Sequence, residues 1–105
     1  MKTILTISIM TAAFAIGTTS ARADAAELWA KNCASCHAKD GSGSTAMGKK
    51  SKVKDYRDAA VQAGFSDSEA TKVITDGKEA MKPFKDKLKA DEIKSLVAFV
   101  RTLKK

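Results

Sequence analysis

Both cysteines of the chain and its only histidine fall within five consecutive residues, Cys33-Ala34-Ser35-Cys36-His37. Cysteines at i and i+3 lie on one side of a helical turn, and the next residue lies on nearly the same face. Two thiols so placed can bond two vinyl groups along one edge of a planar macrocycle, while the imidazole turns to its central metal. The pattern C-x-x-C-H is the attachment signature of a c-type haem. Two other chemistries use parts of it. A bare C-x-x-C serves thiol redox exchange, but in a βαβ setting that this chain does not supply. Three ligands at neighbouring positions wrap poorly around a tetrahedral zinc ion, and no second Cys/His pair completes the set. The residues therefore point to one covalently attached haem c with its iron, bonded through Cys33 and Cys36 and ligated on one face by His37.

The opposite axial position follows from what remains. With no second histidine, bis-His ligation within the chain is impossible, which leaves methionine. Met1 and Met10 belong to an N-terminal segment read below as removed. Met47 and Met81 are left, and chain length alone does not separate them. Met81 lies in Gly77-Lys78-Glu79-Ala80-Met81-Lys82-Pro83-Phe84, an irregular stretch that Pro83 stiffens. Such a loop, anchored at both ends, can lie across a haem face. Met47 follows a Gly/Ser loop, precedes Gly48 and is less anchored, so context favours Met81. Filling an apolar core is the ordinary role of either methionine.

The elements that must position these groups read as helices, and no segment alternates like a strand, so the expected class is all-α. Asp24-Ala25-Ala26-Glu27 is a capping-box pattern that should open a first helix leading to Cys33. Gly41-Ser42-Gly43-Ser44 reads as a loop. Asp55 should start a short helix through Gln62. Ser66-Asp67-Ser68-Glu69 is a second capping box, opening a helix with Val73 and Ile74 inward and Gly77 at its end. Ile93, Leu96, Val97, Val100 and Leu103 recur at helical spacing and make a buried stripe. Asp91 and Glu92 in the first turn and Arg101, Lys104 and Lys105 in the last suit the helix dipole.

Residues 1–23 read as a cleaved Sec signal peptide. Lys2 supplies positive charge, Ile4 to Ile16 is an apolar run, and Ala21-Arg22-Ala23 is a cleavage site. The expected location is the periplasm, with residues 24–105 as the mature domain. That domain has only about 80 residues, near the lower limit for an unaided core. A disulfide between Cys33 and Cys36 would close too small a loop to help, so a cofactor is the expected staple. The whole chain carries a formal charge of +7, and the segment removed leaves the balance basic. The lysines are dispersed, without an arginine-rich or aromatic-interleaved patch, which argues against nucleic acid and for acidic protein partners.

The chain also resembles the class I cytochrome c family, in its small bacterial periplasmic form, over nearly all of residues 24–105. The resemblance rests on Leu28-Trp29 ahead of the C-x-x-C-H motif, on Met81-Lys82-Pro83-Phe84, on Leu88, and on Glu92-Ile93 through Leu96-Val97-Ala98-Phe99-Val100. It implies about four short helices wrapped around one haem. It also implies a crossing of the first and last helices, with Ala25 and Trp29 against Leu96 and Phe99. Many members have Gly where Ala25 stands. Many also have a proline soon after the motif whose carbonyl accepts the N–H of the haem-ligating histidine. Pro83 is the only proline here, so a carbonyl near Gly43 to Met47 is expected to take that part for His37. Tyr56 or Trp29 is expected to reach a haem propionate.

The expected function is outer-sphere electron transfer by a monomeric carrier that is not an enzyme and does not insert stably into a membrane. It would shuttle between acidic redox proteins. A haem-based ligand sensor and a cytochrome subunit of a periplasmic oxidoreductase are the alternatives.

Overall fold

A computed structural model describes residues 19–105 of the chain, with the side chains from Asp24 onward. Most of the expected signal segment lies outside those residues. The described chain forms six short helices: α1 (Thr19–Asn32), α2 (Ala34–His37), α3 (Ala46–Ser51), α4 (Ala59–Ala63), α5 (Asp67–Asp76) and α6 (Ala90–Thr102). Among the described residues there are no strands, only an isolated bridge between Lys78 and Met81. The all-α expectation holds, with six helical segments rather than about four.

Helix α6 carries the stripe that its sequence announces. Ile93, Leu96, Val97 and Val100 are buried, and Leu103 packs at the margin of the core. Burying a side chain such as Leu96 stabilises by about 2 kcal/mol. The stripe packs on α1, where Ala25 and Trp29 are buried and the Trp29 and Phe99 rings lie 5.6 Å apart. The helix crossing inferred for Ala25, Trp29, Leu96 and Phe99 is thus present. Trp29, Cys33, Phe84, Leu88, Ile93, Leu96 and Val100 form one apolar cluster, with Phe99 and Leu103 packed against it.

Helix α5 also begins and ends as its residues dictate. The Ser66 hydroxyl accepts the Glu69 N–H at 3.0 Å, and Gly77 closes the helix at φ 78° with its N–H on the Val73 carbonyl. Ile74 packs against the core, whereas Val73 is half-buried outside the cluster.

Three expectations need correction. Helix α1 does not open at Asp24 but continues from Thr19. Ser20-Ala21-Arg22-Ala23 contains no breaker, so nothing stops the helix there. The helix expected from Asp55 begins instead at Ala59, capped by Asp58, whose carboxylate accepts the Ala60 N–H at 2.8 Å. Asp55 is occupied with Arg57, accepting from its backbone N–H, Nε and Nη2 at 2.9 to 3.0 Å. Helix α3 was not expected at all. Its signal was Thr45, whose side chain accepts the Gly48 N–H and caps the helix.

Candidate functional site

The C-x-x-C-H segment is a helical turn set directly on the end of α1. Cys33 N–H donates to the Trp29 carbonyl at 2.9 Å, and His37 N–H donates to the Cys33 carbonyl at 2.9 Å. Both cysteines are free thiols, Cys33 buried and Cys36 half-buried. Burial, and then the nearby Cys36, push the Cys33 thiol up to about 11. A thiol-exchange site needs a depressed thiol that ionises near neutral pH, and the raised Cys33 thiol does not suit that role. Among the described residues no cluster of three or more His, Cys, Asp or Glu side chains is placed to hold a metal ion.

Two elements close over the turn. The chain reverses after His37 at Ala38, which takes a positive φ of 65°. The Trp29 indole N–H donates to the Ala38 carbonyl at 3.0 Å, a buried bond that fixes the reversal. That bond occupies the indole nitrogen. The loop that follows folds back until α3 lies on α2. The Thr45 hydroxyl is 2.8 Å from the Ser35 carbonyl and 3.1 Å from that of Cys36. Gly48 admits this approach, because a Cβ there would collide with the Cys36 carbonyl and sit 2.5 Å from that of Gly43.

His37 lies between aromatic neighbours. Its ring centroid is 5.5 Å from Trp29 and 5.4 Å from Tyr56. Burial lowers its pKa, which keeps the imidazole neutral and available as a donor. The expected carbonyl partner near Gly43 to Met47 is absent. Nδ1 of His37 is buried without a hydrogen-bond partner among the described residues. The loop bonds the histidine through its backbone instead: the Gly43 N–H donates to the His37 carbonyl at 2.8 Å. The two thiols and a buried, neutral imidazole on one turn fit the donor set of a c-type haem.

The methionines are distinguished by position. Met47 is the exposed large apolar residue, 56% accessible, on α3. Met81 is half-buried and packs against the cluster that contains Cys33, Trp29 and Phe84. A narrow turn presents it: Lys78 and Met81 exchange both backbone hydrogen bonds, at 3.0 and 2.9 Å, across Glu79 at φ 54°. Beyond it, Phe84 N–H reaches the Ile74 carbonyl at 2.9 Å, so the loop returns onto α5. Lys78, Lys82, Lys85, Lys87 and Lys89 are exposed around it.

Sequence reasoning missed Gln62, the one buried polar side chain of the described core. Its amide donates to the carbonyls of Tyr56 at 2.7 Å and Val100 at 2.8 Å. Nothing in the local pattern marks it, because both acceptors are backbone atoms, one of them distant in the chain. Among the described residues no helix is long and apolar enough to cross a membrane.

Comparison with known proteins agrees with this geometry. Residues 20–100 match the family model described as cytochrome C oxidase, cbb3-type, subunit III. The chain is 35% identical to cytochrome c6 of Anabaena variabilis over 75 residues, which is 71% of this chain and 83% of that protein. Its fold is similar to the solved structure of the KustC0563 c-type cytochrome. The TM-score is 0.74 at 37% identity, covering 78% of this chain and 99% of the other. A tyrosine-to-phenylalanine mutant of that cytochrome matches with a TM-score of 0.71 at 36% identity, covering 77% and 99%. The chain belongs to this family: it is a small class I cytochrome c, an electron carrier with a covalently bound haem c.

Proposed function

We propose that the protein is an exported one-electron carrier whose haem is bonded through Cys33 and Cys36 and ligated by His37 and Met81. The observation that carries the ligation is the contrast between the methionines. Met81 is held by a two-residue turn against the cluster containing Cys33, whereas Met47 stands in solvent. The haem supplies a one-electron couple, and the chain's residues tune and deliver it. The Met81 thioether is a soft donor and favours the reduced iron. Trp29, Phe84, Leu88 and Leu96 exclude water from the cluster, which acts in the same direction. His37 and Met81 would both hold the iron, which would leave no coordination position for a substrate. Residues 1–23 act as the export signal, and the mature chain starts at Asp24 in the periplasm.

Lys78, Lys82, Lys85, Lys87 and Lys89 form the docking ring for acidic redox partners. Such encounters are small and charge-steered, so the effect falls on the association rate. Changing Lys82 and Lys85 to Glu should flatten the salt dependence of the rate with a native acceptor.

The decisive test is spectroscopic. Met81→Ala should abolish the weak near-infrared charge-transfer band and admit carbon monoxide, and Met47→Ala should do neither. The reverse pattern moves the ligand to Met47. Carbon monoxide binding by the unaltered protein would make it a ligand sensor. Intact mass should equal residues 24–105 plus one haem; retention of residues 1–23 would make it membrane-tethered. The family description names an oxidase subunit, and this favours a second reading as a cytochrome subunit of a periplasmic oxidoreductase. Elution in a large complex on gel filtration of native extract would establish it.

A further inference from the structure

A histidine that ligates a metal is ordinarily oriented by a hydrogen bond from its second ring nitrogen to a carbonyl or carboxylate. His37 has no such bond: its Nδ1 is buried and unpartnered among the described residues. Its imidazole must therefore be oriented by packing. We propose that Gln62, locked by Arg101, is the positioning residue for this site, holding Tyr56 against His37 and so setting the angle of the imidazole plane.

The chain of contacts is continuous. Tyr56 lies 5.4 Å from His37, ring centroid to ring centroid, at an interplanar angle of 37°. Both backbone polar groups of Tyr56 are engaged. Its N–H donates to the Gly41 carbonyl at 2.9 Å, just beyond the C-x-x-C-H motif, and its carbonyl accepts from Gln62 Nε2 at 2.7 Å. The second Gln62 amide bond goes to Val100 in α6, which ties the Tyr56 segment to the core helix. Gln62 Oε1 accepts from Arg101 Nη1 at 3.0 Å, which fixes the amide's orientation. The guanidinium also donates to the Phe65 carbonyl at 2.7 Å and to Asp67 at 2.8 Å, and it lies 4.2 Å over the Phe65 ring. Phe65 in turn meets Tyr56 edge-on at 5.8 Å. The opposite neighbour, Trp29, is held independently through its bond to Ala38.

Every polar group of the Gln62 side chain is used, so removing it leaves the Tyr56 carbonyl unpaired and cuts its tie to α6, while the Val100 carbonyl keeps the Leu103 N–H and Arg101 keeps the Gln62 backbone carbonyl. An amide so placed stabilises the fold, but a residue with only that role would not alter the magnetic axes of the iron. That difference gives the test.

The inference rests on His37 being the iron ligand. The experiment is proton NMR of the oxidised, haem-bearing protein, reading the spread of the four haem-methyl shifts, which reports the imidazole plane. Gln62→Met keeps the volume and removes the hydrogen bonds; Tyr56→Leu removes the ring; Tyr56→Phe keeps it. Gln62→Met and Tyr56→Leu should redistribute the methyl shifts in the same sense, the latter further, while Tyr56→Phe leaves them in place. Val97→Ala, a buried change in α6, should lower stability without moving the pattern. Should Tyr56→Leu fail to fold, Gln62→Met alone decides. An unchanged pattern in Gln62→Met overturns the proposal, as does a His37 ring N–H found bonded to a carbonyl. A low-spin spectrum surviving in His37→Gly would instead overturn the ligation reading, and this inference with it.

Discussion

Gly77→Ala should damage the Met81 loop more than any other single-methyl addition in the described chain. Gly77 sits at φ 78°, ψ 168°, a region that side chains avoid. Occupying it costs a non-glycine residue about 1–3 kcal/mol. The added Cβ would lie 2.7 Å from the Met81 carbonyl oxygen and 2.9 Å from the Pro83 nitrogen, both backbone atoms that cannot rotate aside. Overpacking of this kind adds about 1–3 kcal/mol. Part of the cost is relieved if residues 81–83 move, so we expect a loss of about 2–4 kcal/mol. In a domain of this size that lowers Tm by at least about 8 °C. Relief by movement has its own signature, because it withdraws Met81. The assay is a thermal melt of the oxidised protein with the near-infrared band recorded alongside. Gly64→Ala is the control: its Cβ would meet only ordinary neighbours, the nearest at 3.4 Å, at a backbone angle of φ −80°. A Gly77→Ala protein that melts like Gly64→Ala with its band intact would refute the reasoning.

Other changes bear on helix ends and surface charge. Lys89 is the N-cap of helix α6; its N–H donates to the Glu92 carboxylate at 2.9 Å, while its own side chain caps nothing. Lys89→Ser should complete the box and stabilise by about 0.5–1 kcal/mol. An unchanged urea midpoint would mean that the Asp91 carboxylate, which accepts the Glu92 N–H, already fills the role. Lys52 ends α3 in the left-handed region at φ 56°, ψ 41°, exposed to solvent. Lys52→Gly should raise the denaturation midpoint, by up to about 1 kcal/mol in stability. Hydrogen bonds from the Arg57 side chain and backbone hold the Asp55 carboxyl below its ordinary value. Its contribution is then present above the unfolded carboxylate pKa and lost as pH falls through the lower folded one. Asp55→Asn should therefore be less stable than the parent near pH 7 and converge with it in acid; a gap independent of pH would contradict this.

The residues that carry chemistry were legible because their partners are close in sequence. Cys33, Cys36 and His37 share one turn, the Ser66 cap finds Glu69 three residues on, and Gly77 ends the helix in which it is read. The α6 stripe was legible because a periodic face must meet something apolar. What escaped depends on distance or on competition. Asp55 and Asp58 are both plausible caps, and only the Arg57 guanidinium decides between them. Gln62 bonds Val100 across 38 residues. The partner foreseen for the His37 imidazole did not form: the loop meets His37 through the Gly43 N–H, which donates to the His37 carbonyl. Local patterning carries no information about which way a peptide plane faces.

The crossing of α1 on α6 joins the two ends of the described chain, and synthesis reaches those ends at different times. Trp29 lacks its distant apolar partners, Phe84, Leu88, Ile93, Leu96 and Phe99, until the C-terminal part of the chain has been made. Until then the first helix is a short, unsupported segment, marginal in water. Cys33, which ends up in the cluster, is then still open. Placing the closing helix last means that Cys33 is covered only once the end of the chain has packed back onto α1.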